Sequence, residues 1–463
     1  MPFATTNPYT GEVIKTFPDA TDAEIQQAIT DADQAFQSWR LSSFTTRSEI
    51  LTKAASILRQ DVETYAQLLT LEMGKILSEG RAEVELCAKI FDYYAKNAEN
   101  LLAPQKIPPL SPEDGESIVS HEPLGVILAI EPWNFPFYQI TRILAPQLSV
   151  GNTLLLKHAS NVPQCALIFE KLMLDAGLPK GAFINLFLPH NKIEDVLKGS
   201  RVHGVALTGS EAAGAIVAQT AAKCLKKSTL ELGGADALIV LADADLDKTV
   251  KWAVFGRHWN AGQVCIASKR IIVDESIYDE FLEKYIAGVA ALKAGDPKFS
   301  DTQLAPLSSQ KAADNIKQQV KNAIKNGAIA QEVGEPVPKQ GAFVQPTILT
   351  NITPENPAYY EEFFGPISMI FKVKNEDDAI RIANDSHFGL GGSVFTTDPE
   401  HGQKVAEKIS TGMVFVNHPT GTKSHIPFGG IRRSGYGREL FDLGLKEFVN
   451  HKVISITDID APF

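Results

Sequence analysis

Gly125-Val126-Ile127-Leu128-Ala129-Ile130 is an unbroken apolar run of strand length, and after the stiff turn Glu131-Pro132-Trp133-Asn134-Phe135-Pro136 the pattern becomes helical over 137–149. The same change recurs three times: 153–156 into 162–176, 183–187 into 193–197, and 205–207 into 211–222. Strands that are apolar on both faces, each followed by a helix, specify a parallel sheet covered on both sides. Ligands in such sheets gather at the carboxyl ends of the strands.

Upstream, Thr21-Asp22-Ala23-Glu24 has capping-box spacing ahead of Ile25, Ala28, Ile29, Ala32, Ala35, Phe36 and Trp39, which share one helical face. Thr46-Arg47-Ser48-Glu49 has the same spacing ahead of a second helix, and a third is predicted over about 78–102. These helices are read as packing elements without chemistry. Pro104, Pro108, Pro109 and Pro112 end the helical opening, and 117–122 alternates as an exposed ribbon suited to subunit contact. Downstream of Leu230, apolar strands near 237–240, 270–273, 367–373, 391–395 and 413–416, with helices between them, predict a second α/β domain. The cleft between the two domains is the expected site.

The net charge of -11 argues against a nucleic-acid partner, which would need a basic face. Cys87, Cys165, Cys224 and Cys265 are widely spaced and form no CxxC pair, so neither a disulfide framework nor a metal site is expected. The N-terminus lacks the basic and apolar regions of a leader, and no apolar run approaches about 18 residues. A cytoplasmic protein with no membrane partner is therefore expected.

The stretch Asn260-Ala261-Gly262-Gln263-Val264-Cys265-Ile266-Ala267-Ser268-Lys269-Arg270 sets Cys265 among small residues. By itself, a cysteine between Val264 and Ile266 is a small buried hydrophobe in about four cases of five. In a glycine-flanked turn, however, a thiolate can approach a substrate. Leu207-Thr208-Gly209-Ser210 ends one strand and opens a helix, where N–H groups and the helix dipole suit a phosphate, although glycines also simply terminate strands. Lys157 ends another strand on the same sheet edge. Asn134, in its proline-bracketed turn, can donate to an oxyanion. An isolated Glu231 would be a surface-turn residue, but in a sheltered cleft its pKa would rise towards that of a general base.

Taken together and in order, Pro132-Trp133-Asn134-Phe135-Pro136, Thr208-Gly209-Ser210, Glu231-Leu232-Gly233-Gly234, Gly262-Gln263-Val264-Cys265, Glu362-Phe363-Phe364-Gly365-Pro366 and Pro427-Phe428-Gly429-Gly430 closely resemble the aldehyde dehydrogenase superfamily. The likeness covers nearly the whole chain. It implies that Cys265 attacks the aldehyde carbon, that the Asn134 amide and the Cys265 backbone N–H hold the oxyanion, and that Glu231 activates the hydrolytic water. It also implies cofactor contacts at Trp133, Lys157, Gly209, Ser210 and Leu232, with Glu362 at the nicotinamide ribose and Phe364 beside it. The fold it implies is α/β: two doubly wound α/β domains, a Rossmann-like cofactor domain and a catalytic domain, plus a small β oligomerisation element. The expected boundaries are 1–115 with 135–230 for the cofactor-binding domain, 231–425 for the catalytic domain, and 116–134 with 440–463 for the bridging element. A homodimer or homotetramer is expected through the 117–122 ribbon and Val453-Ile454-Ser455-Ile456.

Two departures sharpen the expectation. Many NAD-preferring relatives read Lys-Pro-Ser/Ala-Glu where this chain has Lys157-His158-Ala159-Ser160. Ser160 can donate to a 2′-phosphate and Lys157 can neutralise it, so NADP is expected in preference to NAD. Gln139-Ile140-Thr141-Arg142 resembles the succinate-semialdehyde dehydrogenase branch, in which that arginine binds the distal carboxylate. Arg142, Gln139 and Thr422 are the expected substrate contacts. The expected reaction is NAD(P)-dependent oxidation of succinic semialdehyde to succinate through a thiohemiacetal and a thioester, without a metal ion. Glutarate semialdehyde or a medium-chain aldehyde is the alternative substrate. A non-catalytic descendant would be expected to lose Cys265, Glu231 or Asn134, and all three are present.

Overall fold

The structure, a computed structural model, describes residues 3–461. Its six-stranded sheet runs in the order Gly435–Tyr436, Lys227–Glu231, Val202–Thr208, Val126–Glu131, Thr153–His158, Phe183–Asn185. All neighbours are parallel except the Gly435–Tyr436 edge. The register aligns Ile130 with Lys157, Ile130 with Leu207, and Thr208 with Glu231, so these chain positions end in one row at the carboxyl edge. Topology alone thus brings the turn carrying Asn134, the Gly209–Ser210 turn and Glu231 to one side of the sheet.

The second, seven-stranded sheet has the order Ile329–Glu332, Thr347–Thr350, Ile367–Val373, Arg270–Asp274, Ala237–Val240, Gly392–Phe395, Phe415–Val416, parallel apart from its first strand. Cys265 lies in the segment that enters Arg270–Asp274. A third sheet pairs Glu116–Pro123 with Gln105–Ile107 on one side and Val449–Ile456 on the other, both antiparallel.

Several local expectations change. The second helix is Phe44–Gln60, capped by Ser43 rather than by Thr46, because the Ser43 hydroxyl accepts the Thr46 N–H at 3.1 Å. A helix at Val62–Met73 precedes Leu77–Leu101, so the opening region has one helix more than its periodicity suggests. The segment 116–134 is not a single bridging element. Val126–Glu131 is buried at every position and forms a central strand of the six-stranded sheet, whose parallel neighbours cover both its edges. Only Glu116–Pro123 belongs with the C-terminal strand.

The opening helices also do more than pack. Helix Pro136–Val150, buried along its whole length, starts with backbone N–H groups that have no partner within the helix and need acceptors. Glu83 supplies them, accepting from Phe137 N at 2.8 Å and Tyr138 N at 3.1 Å while its carboxylate pairs with the fully buried Lys75. An anion at a helix N-terminus is favourable, and here it anchors the helix that follows Asn134.

Candidate active site

The turn ahead of Cys265 is left-handed at three successive residues: Asn260 (φ 52°), Ala261 (φ 53°) and Gly262 (φ 76°). Asn260 and Ala261 are not glycines, so the conformation costs about 1–2 kcal/mol per residue and has to be held from outside. Asn260 N donates to Glu79 Oε1 at 3.0 Å, Asn260 Nδ2 donates to Asn134 O at 2.9 Å, and Gln263 Oε1 accepts from Ser308 N at 2.8 Å. These bonds fix the loop against the Asn134 turn, and with it the position of the thiol.

Asn134 is buried, and one N–H of its amide donates to Gln263 O at 3.2 Å. Its Oδ1 accepts from Gln139 Nε2 at 3.2 Å, which leaves the second amide N–H for another acceptor. The Cys265 backbone N–H meets no acceptor among the described residues. Burial raises the Cys265 thiol to about 12, against the lowering fields of Arg142 and Lys269. Glu231 is 3% exposed, and neither carboxylate oxygen has a hydrogen-bond partner among the described residues. Burial holds its pKa well above the usual carboxylate range, with Arg142 opposing.

Two cavities meet at the thiol, and Cys265 and Gln139 line both. One, of about 270 Å³, includes Trp133, Asn134, Gly209, Ser210, Glu231, Leu232, Glu362 and Phe364. Trp133 and Phe364 form its walls in an edge-to-face pair with centroids 5.7 Å apart. Ser210 caps helix Glu211–Lys223, whose N-terminus faces this space, and Gly209 N donates to Glu231 O at 3.0 Å. Glu362 Oε1 accepts from Gly234 N at 3.0 Å.

Ser160 lies further along, in a cavity of about 460 Å³ with His190 and Asn191. Lys157, the last residue but one of its strand, is nearby and 4% exposed, with its pKa pushed down to about 8 by burial. It has no carboxylate partner among the described residues and lies 6.0 Å from the Phe3 ring centroid. The buried Lys157, a cation in want of an anion, and the Ser160 hydroxyl fit the phosphate end of a dinucleotide, although the Asp19 carboxylate also lines that cavity. A helix N-terminus at the Gly209–Ser210 turn fits its middle, and a carboxylate facing the thiol's cavity fits a ribose.

The other cavity, about 370 Å³, is an apolar tunnel whose lining includes Leu86, Phe135, Phe255, Trp259, Val264 and Phe428, together with Tyr138, Gln139 and Thr422. Arg142 is not among the lining residues, which corrects the expectation that it meets the substrate directly. Its side chain is 1% exposed and pairs with Glu439, and it donates to Thr208 Oγ1 at 2.9 Å and Tyr138 Oη at 3.4 Å. A buried guanidinium must satisfy its donors inside the protein, and on this helix the inward face points at the sheet rather than the tunnel. Burial opposes the charge, but Glu439 and its neighbours hold the Arg142 pKa above its ordinary value. Tyr138 Oη also lies 3.3 Å from Thr422 Oγ1, so this hydroxyl pair stands between Arg142 and the tunnel.

The structure adds residues to which sequence reasoning gave no role. Lys269 is fully buried beneath the Cys265 loop, and the only sequence sign was a Lys-Arg pair entering an apolar strand. Glu439, within Gly437-Arg438-Glu439, gave no sign of its pairing with Arg142. His158 stands 3.0 Å from Pro136 O through Nε2 and 3.1 Å from Glu131 O through Nδ1, and Ala159 N donates to Nδ1 at 2.9 Å. Burial lowers the ring's pKa to about 4, so it is neutral. With Nδ1 accepting, the Nε2–H donates to Pro136 O and ties the Lys157 strand to the Asn134 turn. Among the described residues no helix is long and apolar enough to cross a membrane.

Residues 1–454 match the aldehyde dehydrogenase family. The chain is 49% identical to a Deinococcus radiodurans protein named succinate-semialdehyde dehydrogenase [NADP(+)], over 98% of this chain and 94% of that one. It is 45% identical to a Synechocystis protein named probable succinate-semialdehyde dehydrogenase [NADP(+)], over 98% and 100%. Among solved structures, succinic semialdehyde dehydrogenase from Streptococcus pyogenes in complex with NADP+ superposes with a TM-score of 0.96 at 45% identity, covering 98% of this chain and 100% of that one. Because the match runs through every stretch that builds the two cavities around Cys265, the chain belongs to the aldehyde dehydrogenase family.

Proposed function

We propose that this protein oxidises succinic semialdehyde to succinate with NADP. The observation that carries this reading is the near full-length identity of 49% and 45% to proteins named for that activity and cofactor. The placement of Cys265, Asn134 and Glu231 around one cavity supports it.

Cys265 Sγ, as the thiolate left when its proton has passed to water, attacks the aldehyde carbon, and Glu231, the unpartnered carboxylate in the same space, stays unprotonated for the next step. The free Asn134 N–H and the Cys265 backbone N–H receive the developing oxyanion. The nicotinamide, when bound, would supply the hydride acceptor, and Cys265 would then carry the acyl group as a thioester. Glu231 then takes a proton from water as that water attacks the thioester, releasing the acid. Trp133, Glu362 and Phe364 hold the nicotinamide end, Gly209, Ser210 and Leu232 the middle, and Lys157 with Ser160 the adenosine 2′-phosphate. The distal carboxylate of the substrate meets the Tyr138 and Thr422 hydroxyls, and Arg142 supplies its charge through Tyr138. Residues 1–115 and 124–230 form the cofactor-binding domain and 231–425 the catalytic domain.

The chain acts in the cytoplasm as a homodimer or homotetramer. The exposed Val453 and Ile456, 60% and 68% accessible, on the outlying three-stranded sheet support the oligomer.

A second reading rests on the apolar tunnel wall: a medium-chain aldehyde fits Phe135, Phe255, Trp259 and Phe428. Steady-state kinetics on succinic semialdehyde, glutarate semialdehyde and hexanal, each with NADP and NAD, separates the two. The proposal expects the highest kcat/KM for succinic semialdehyde with NADP. A preference for hexanal would favour the second reading, and a preference for NAD would remove the cofactor assignment.

A further inference from the structure

We propose that Lys269 is a positioning residue that makes the reactivity of Cys265 answer to the engagement of Glu362 by the cofactor. The inference rests on the reading above that Glu362 meets the nicotinamide ribose. Lys269 lies five residues from Val264 and four from Cys265 and is fully buried. Its ammonium donates to Val264 O at 2.7 Å and to Cys265 O at 2.6 Å, and it pairs with Glu362 Oε1 at 3.0 Å. Its three N–H bonds are thereby all assigned. Two of them hold the nucleophile loop, and the third holds a carboxylate from a different segment.

Glu362 is the partly exposed member of the pair, with 20% of its side chain accessible. Its Oε1 also accepts from Gly234 N, three residues after Glu231. One carboxylate therefore joins the nucleophile loop, the segment following the base and the wall of the cofactor cavity.

A buried ammonium depends on its counter-ion. A ribose hydroxyl donating to Glu362 draws carboxylate charge away from Lys269, whose field then falls less compensated on the nucleophile loop. The charged groups acting on Cys265 are Arg142, Lys269, Glu362 and Asp236, with Glu231 in the same cavity. Arg142 is closed off by Glu439, and Asp236 accepts from Gly391 N at 3.0 Å. Of the two cations, Lys269 alone is paired with a carboxylate that lines the cofactor cavity. Seating the cofactor thus favours the thiolate, and the enzyme without cofactor keeps its thiol quiet.

The test is the pH profile of Cys265 alkylation by iodoacetamide, with and without saturating NADP, because the profile's midpoint is independent of how far the nicotinamide shields the sulfur. In the wild type NADP should lower the midpoint by about one unit or more, equivalent to roughly tenfold more thiolate at a fixed pH below it. Lys269→Met should abolish that fall, and Lys269→Arg should restore part of it. Glu362→Gln, which removes the carboxylate charge at a partly exposed side chain, should alkylate about tenfold faster than wild type without any cofactor. The proposal is overturned if Lys269→Met binds NADP with the wild-type Kd and keeps the wild-type fall, or if Glu362→Gln without cofactor alkylates at the wild-type rate. An unchanged NADP Kd in Glu362→Gln would instead remove the ribose contact, a failure of the functional reading that the Kd alone reports.

Discussion

Gln139 Nε2 donates to Asn134 Oδ1 at 3.2 Å, and this bond decides which end of the Asn134 amide faces the thiol. With Oδ1 engaged, the nitrogen is turned towards Gln263 O and the cavity, where an oxyanion donor is needed. In the proposed mechanism Gln139 would thus act through Asn134, although it also lines the tunnel.

Replacing Asn134 by Ala should lower kcat by about 10²–10³, the usual loss of one oxyanion donor. Gln139→Leu removes only the bond that orients that donor and should cost about tenfold in kcat/KM. Gln139→Glu should be worse than Gln139→Leu, since a carboxylate cannot donate to Oδ1 and favours the flipped amide. Steady-state kinetics of the three variants gives the order; a Gln139→Leu enzyme with wild-type kcat/KM would show that Asn134 needs no such support.

Tyr138→Phe and Thr422→Val should each raise KM for succinic semialdehyde about five- to tenfold while changing KM for hexanal less than twofold, as expected for lost hydrogen bonds to a carboxylate. Burial pushes the Tyr138 hydroxyl up to about 12, so it remains a donor at working pH. Arg142→Ala should behave differently. It leaves Glu439 buried without its partner, so unfolding free energy should fall by about 3–5 kcal/mol and both aldehydes should be affected. Selective loss on the carboxylated aldehyde, with stability intact, would return Arg142 to direct substrate contact.

Glu231→Gln should retain a pre-steady-state burst of NADPH while slowing turnover by about 10²–10⁴, because acylation has other support and hydrolysis loses its base. In the wild type, burial raises the Glu231 pKa, so the carboxylate form is lost at a higher pH than for an ordinary glutamate. Where deacylation limits turnover, the rise of kcat with pH should therefore come at higher pH than the roughly 4–5 range of an ordinary glutamate. A kcat that has already reached its plateau by about pH 5 would contradict this assignment.

His158 makes a prediction about stability. Its pKa is about 4 in the folded protein against 6.5 in the open chain, so between those values the unfolded state binds a proton that the native state does not. The sign follows: stability from this group is complete above about pH 6.5 and declines by about 1.4 kcal/mol per pH unit as pH falls towards 4. Chemical denaturation at pH 7, 6 and 5 should show that slope flattened by about this amount in His158→Asn. An unaltered slope would mean that the ring is already charged in the native protein.

Much of this was legible in the chain. Unbroken apolar runs such as 126–130 need two covered faces, which is a statement about a parallel sheet made before any coordinates. The row of strand ends that carries Lys157, Thr208 and Glu231 follows from that sheet. The extra opening helix at Val62–Met73 was not legible, because its apolar residues merge with those of its neighbours. Nor was the break within 116–134, where a fully buried strand directly follows a half-exposed one.

Sequence by itself determined the fold class and singled out Cys265 and the residues proposed to serve it, since period, turn chemistry and motif order are local properties. Tertiary structure alone decided the partners. Arg142 sits two helical turns beyond Asn134, as expected, but which way a guanidinium turns depends on where a carboxylate can pair with it, and Glu439 lies 297 residues away in the chain. Lys269 is one more basic residue in the sequence; buried against Cys265 O and Glu362, it is the charge beneath the Cys265 loop. The physical reason is the same for both: a buried charge is defined by its counter-ion, and counter-ions are chosen in space.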